Sequence, residues 1–251
     1  MFKRLRTSLS TWIPGVGSGA DDIEFDGEPS ETDPYRRFGN KSIGVWSDDL
    51  GMFKLLRTRG KQLRSMGVSV NGSIALFGEE ALYLAERGLL VVLPSEAGGG
   101  EPLTTREVYA LAVADAPSSS APREAAPSSR RAACPLHCYW VYAHLRSLGY
   151  ASFRHRAQAA ADGSAAAAPA VWSHGPDGDG DDVPLAFEVH QPSAQFSKRN
   201  LGPPAFVVFV ALYGGALPPV HRIAGLIAAA APTAVKAAVV AGDGTVLLFD
   251  L

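Results

Sequence analysis

LGMFKLLRTRGKQLRSMGVSVNGSIALFGEEALYLAERGLLVVL, residues 50–93, holds a basic run, a turn-rich middle and one complete helix signal. Gly78 is followed by Glu79 and Glu80, whose charge suits a helix N-terminus, while Arg87 and Gly88 supply the last turn and a left-handed cap. Between them Ala81, Leu82, Leu84 and Ala85 form an apolar face, and Leu89–Leu93 is a strand-length apolar run that continues the same core. The stretch therefore predicts a small α/β unit.

Outward from it the pattern divides the chain. Residues 1–40 carry Gly, Pro, Ser and the acidic run ADDIEFDGEPSETD without periodicity, which predicts a disordered acidic leader. The first domain is expected over 41–114: extended segments over 41–56, residues 50–93, then a helix whose Thr104 and Glu107 have the spacing of a capping box. Residues 115–134, rich in Pro, Ser, Ala and Arg, read as a linker. The second domain, 135–251, opens with a helix after Pro135 that ends at Gly149, followed by a strand over Tyr150–Arg156. Residues 157–182, low in complexity and acidic at their end, read as an insertion, because the apolar pattern resumes at Leu185–His190. Phe206–Tyr213 is a continuous apolar run, the mark of a central strand covered on both faces, and Val220–Ala230 reads as a helix on that sheet. AAVVAGDGTVLLFDL, residues 237–251, predicts a terminal hairpin whose last strand, with Val246, Leu247, Leu248 and Phe249, is a sheet edge in need of a cover or a partner.

Composition bounds the function. The chain of 251 residues is 47% hydrophobic, enough for a substantial core, and its net charge of −2 gives no global polyanion signal. Any nucleic-acid contact must come from a local basic surface. Cys134 and Cys138 are the only cysteines, so no disulfide framework exists, and no window approaches eighteen uninterrupted apolar residues. These features point to an intracellular protein without a membrane span. The cluster Cys134, His137 and Cys138 lacks the fourth ligand of a zinc site, and neither a metal nor another cofactor is expected.

Three blocks carry a family resemblance. FGEEALYLAERG with the apolar run behind it, CYWVYAHLRSLGYASFRHR at 138–156, and FEVHQPSAQFSKRNLGPPAFVVFV at 187–210 stand in the order seen in the non-catalytic structural subunit, subunit 54, of the tRNA-splicing endonuclease, which the chain resembles. The resemblance implies an α+β fold: a small N-terminal α/β domain followed by a mixed-sheet domain like that of the tRNA-intron endonucleases. It also implies a nuclear heterotetramer with catalytic subunits and a small structural subunit, acting on precursor tRNA.

Candidate site residues follow from charge and from that resemblance. Lys54, Arg57, Arg59, Lys61 and Arg64 lie within eleven residues with no acid between them, and Lys198 and Arg199 sit in a basic turn before Gly202. Phosphate recognition needs such a positive surface, although most short basic runs are merely solvated. Catalytic relatives cut RNA with a tyrosine, a histidine and a lysine, which supply base, acid and phosphorane stabilisation. By strand order their places fall at His190, near Val208 and near Ala234, and none of the three residue types is kept there. Lys236, His190, Tyr213 and His221 leave a displaced triad as the rival reading, and a stand-alone RNA-binding scaffold module as another.

Overall fold

The computed structural model describes residues 34–96, 100–114, 134–155, 185–192, 196, 198, 201–215 and 217–251. The expected leader up to residue 33, the linker 115–133 and the insertion 157–182 lie outside the described residues. The described residues hold four α-helices and two mixed five-stranded sheets, the α+β class read from the sequence.

The first sheet has the order β3-β4-β2-β1-β5. Its centre is a hairpin of β1 (Ser42–Ser47) and β2 (Met52–Arg57), closed by Trp46 against Phe53 with ring centroids 4.9 Å apart. β3 (Val68–Val70) and β4 (Ser73–Leu76) continue it on one side. On the other side β5 (Leu90–Leu93) runs parallel to β1, and α1 (Gly78–Glu86) supplies the crossover that a parallel pair requires. The described residues include 34–40, ahead of residue 41, where the pattern sets the start of the first domain. The Arg57 guanidinium donates to the carbonyls of Tyr35, Gly39 and Lys41, which pins the segment carrying a 3-10 turn at Arg36–Phe38.

α2 (Thr105–Ala112) starts as predicted: the Glu107 amide donates to Thr104 Oγ1 and the Thr104 amide donates to Glu107 Oε2. It packs tightly on α1. A Cβ at Gly78 would stand 2.4 Å from the Ala112 carbonyl oxygen, so that crossing requires glycine. A short parallel bridge of β6 (Val113–Ala114) with β7 (Cys134–Pro135) then leads into α3 (Leu136–Ser147), so Cys134 belongs to the fold rather than to the linker.

The second sheet has the order β12-β11-β10-β9-β8. β8 (Ala151–Arg154), β9 (Phe187–His190) and β10 (Phe206–Leu212) are antiparallel neighbours. α4 (Val220–Ala230) then carries the chain to β11 (Ala234–Val240), parallel to β10, and the hairpin partner β12 (Val246–Asp250) forms the edge. β10 is the middle strand, and its apolar run reflects cover on both faces. Phe206 and Val208 face α3, whereas Val207, Phe209 and Ala211 face Leu226 and Ala230 of α4.

One hydrophobic cluster crosses from sheet to sheet, with α3 as the shared wall. Tyr142 of α3 stacks edge-on to Tyr83 of α1 at 5.8 Å and lies 6.1 Å from Phe187 of β9. A buried ion pair joins the halves at the same place. Arg154 at the end of β8 donates through two nitrogens to the Glu79 carboxylate at 2.7 and 2.6 Å, with both side chains no more than 3% exposed. The geometry is bidentate, and the Phe77 ring lies 4.2 Å from the guanidinium carbon.

Candidate nucleic-acid and assembly surfaces

The basic residues of the first half fall into two groups. Lys54 on β2 pairs with Glu96 at 2.9 Å, and Arg57 is the clamp already described. Both side chains are engaged in holding the chain together. Arg59, Lys61 and Arg64 have no acidic partner among the described residues, and Lys61 and Arg64 are exposed on a 3-10 turn, Lys61–Ser65, plugged from below by Leu63. Because Arg57 draws the 35–41 segment alongside, exposed Arg36, Arg37 and Lys41 join the same end of the hairpin. Asp48 and Asp49 occupy its opposite end. Sequence reading missed these three cations because they precede the basic run by many residues, and only the clamp brings them close.

Lys198 also has a structural duty. Its ammonium donates to the Met66 carbonyl at 2.5 Å and to that of Gly67 at 3.3 Å, so it is drawn inward rather than presented to solvent. Arg199 lies outside the described residues.

The other side of the Met66–Gly67 peptide is taken by Glu80. Its carboxyl accepts from the Gly67 amide at 2.9 Å and from the Phe77 amide at 2.9 Å, the second bond being an N-terminal cap for α1. Glu79 and Glu80, whose charge suits the N-terminus of α1, are both buried. Burial and the neighbouring Glu79 charge push Glu80 up to about 7, against the lowering effect of the two amides and Arg154. Cys134 and Cys138 are wholly buried, and burial pushes both thiols up, which keeps them protonated and unreactive. No group of three metal-ligating side chains is assembled among the described residues.

The terminal strand divides by face. Val246 and Leu248 point to the shared core, so of the four candidate interface residues only two are open: Leu247 and Phe249 are 54% and 50% exposed. Their register partners Val239 and Ala237 place them on the α4 face of the sheet. No residue of α4 is fully buried, and Val220 is 83% exposed. Leu212, Tyr213 and Leu217 extend the apolar surface around the end of β10, where the Tyr213 amide donates to the Val240 carbonyl. Leu247 and Phe249 of β12 and Val220 and Ile227 of α4 thus leave large apolar side chains exposed on the α4 side of the second sheet.

Of the residues considered for a displaced triad, His190 and Lys236 do not meet. Lys236 shares a face with Phe206, whose ring centre lies 5.1 Å from its ammonium, and it pairs with Asp250 on β12. His190 shares the opposite face with Glu188, because Val189 between them faces the shared core. The sheet therefore separates His190 from Lys236. Burial lowers the His190 pKa, and Phe153 packs edge-on to its ring at 5.7 Å.

Comparison with known proteins bears on this geometry. The family model for the N-terminal part of tRNA-splicing endonuclease subunit Sen54 matches residues 34–93, from the pinned 3-10 segment through β5. Residues 34–93 are thus similar to the N-terminal part of that subunit. The chain is also 26% identical over 163 residues to the mouse tRNA-splicing endonuclease subunit Sen54. That match covers 59% of this chain and 27% of the mouse protein, so the chain spans about a quarter of its relative's length. The matched segment contains α1 and its two buried glutamates, and the partner of Glu79, Arg154, comes from the sheet beyond it.

Proposed function

We propose that this chain is a non-catalytic structural subunit of a nuclear tRNA-splicing endonuclease. It docks catalytic and small structural subunits in a heterotetramer and helps to position precursor tRNA so that those partners cut at the splice sites. The observation that carries the reading is the combination of a segment similar to the Sen54 N-terminal part with a second sheet on which His190 and Lys236 stand on opposite faces. The apolar α4 and β12 side is the surface offered for docking, by packing across the sheet face or by extension of the β12 edge. Arg59, Lys61 and Arg64, with Arg36, Arg37 and Lys41 beside them, are the surface offered to the tRNA backbone.

The test is a tagged purification from native cells, with the eluate assayed on intron-containing precursor tRNA. Recovery of a nuclease partner and correct cleavage supports the reading. Cleavage by the purified chain alone, lost in Lys236→Ala or His190→Ala, would replace it with the ribonuclease reading. A chain that elutes alone yet binds tRNA in a salt-sensitive way is a binding module.

A further inference from the structure

The basic turn Lys61–Ser65 is fixed at both ends by side chains from elsewhere. At its entry Ser42 Oγ donates to the Arg59 carbonyl at 2.8 Å and accepts from the Arg59 amide at 2.9 Å. At its exit the contacts come from the second half of the molecule. Arg146 of α3 donates through one nitrogen to Ser65 Oγ at 3.0 Å and through the other to the Tyr150 carbonyl at 3.1 Å, which ties the turn to the α3–β8 corner. Lys198, from the connection between β9 and β10, donates to the carbonyls of Met66 and Gly67.

Met66 and Gly67 are buried, so their carbonyls have no bulk water to fall back on when the ammonium leaves. Glu80 grips the Gly67 amide from the opposite side, and a Cβ at Gly67 would stand 2.9 Å from Ile74 Cγ2, so the peptide has little room to move. Burial lowers the Lys198 pKa, and the Glu80 charge opposes that shift.

We propose that Lys198 and Arg146 are positioning residues that suspend the Lys61–Ser65 turn from the second half of the chain, and so fix Lys61 and Arg64 relative to the sheet that carries the α4 and β12 docking side. The proposal rests on the reading of that turn as an RNA contact. It gives a physical form to positioning: a subunit that sets a cutting distance needs its RNA-facing and partner-facing surfaces in one rigid frame. Removal of either cation leaves charge and fold on both surfaces intact but loosens the turn between them.

Amide exchange and tRNA binding on Lys198→Met and Arg146→Met test it. Exchange in residues 61–67 is expected to rise about tenfold while β10 and β11 stay protected, the loss of a buried hydrogen-bond partner being confined to the turn. Affinity for a tRNA transcript should fall several-fold in the same variants. Exchange that is unchanged in 61–67, or that rises only in step with β10, overturns the proposal. The RNA reading is tested separately by Lys61→Ala with Arg64→Ala. If that pair leaves tRNA affinity unchanged, the turn is not an RNA contact, and the exchange result still decides whether Lys198 and Arg146 hold it. If that pair weakens tRNA binding but a loosened turn in Lys198→Met does not, the positioning claim fails.

Discussion

The two sheets end in different ways. The first stops at β3, three residues long and bearing no large exposed apolar side chain, which is how soluble folds close an edge. The second stops at β12, a five-residue strand with Leu247 and Phe249 open beside a helix that has no fully buried residue. Between the two edges lie one shared core and one buried ion pair. The difference is one of surface chemistry: the first half presents charge to solvent, and the second exposes large apolar side chains.

The junction is where the comparison breaks most easily. Glu79→Ala or Arg154→Met alone removes one partner of the buried ion pair and should destabilise the fold by about 3–5 kcal/mol in denaturant unfolding. The double variant Glu79→Leu with Arg154→Met should recover much of that loss. Equal destabilisation of the single and double variants would mean that the pair does not join the halves.

Glu80 makes stability depend on pH. Its folded pKa of about 7 lies above the ordinary 4.5, so the native state holds a proton that the unfolded chain releases, and stability falls as pH rises through that window. At 1.36 kcal/mol per unit the decline is on the order of 3 kcal/mol between pH 4.5 and 7. Glu107 and Asp243, both held low by hydrogen bonds, act oppositely below that window. Melting temperature should therefore peak near the lower end of the Glu80 window, and the decline above it should vanish in Glu80→Gln. A flat profile in the wild type would contradict the assignment.

Gly78→Ala tests the α1–α2 contact. With 2.4 Å to the Ala112 carbonyl the helices must shift, at roughly 1–3 kcal/mol by thermal unfolding. The two surfaces should respond least in stability and most in association. Phe249→Asp should change unfolding by less than about 0.5 kcal/mol yet prevent partner recovery. Neutralising Arg59, Lys61 and Arg64 together should leave melting unchanged and lower the slope of log affinity for tRNA against log salt by up to about 2–3.

Local signals were legible. Thr104 and Glu107 form the capping box that their spacing predicts, Phe206–Leu212 is the middle strand, and Asp243–Gly244 turns the terminal hairpin. The partners of charged residues were not. Arg154 reaches Glu79 across 75 positions and Lys198 reaches Met66 across 132, distances over which no periodicity speaks. A lysine that clamps carbonyls and a lysine that meets phosphate look alike in sequence. The split of Val246–Phe249 into two core and two open side chains follows from strand alternation, but which pair faces the core depends on where α4 packs.

The most direct test of the central claim is a pull-down of tagged wild-type chain beside the Phe249→Asp variant from the same cells, each eluate assayed on intron-containing precursor tRNA. The account predicts a nuclease partner and correct cleavage with the wild type, and a folded but solitary and inactive variant. Partner and cleavage retained by the variant would contradict the docking side, and cleavage by the solitary chain would contradict the non-catalytic role.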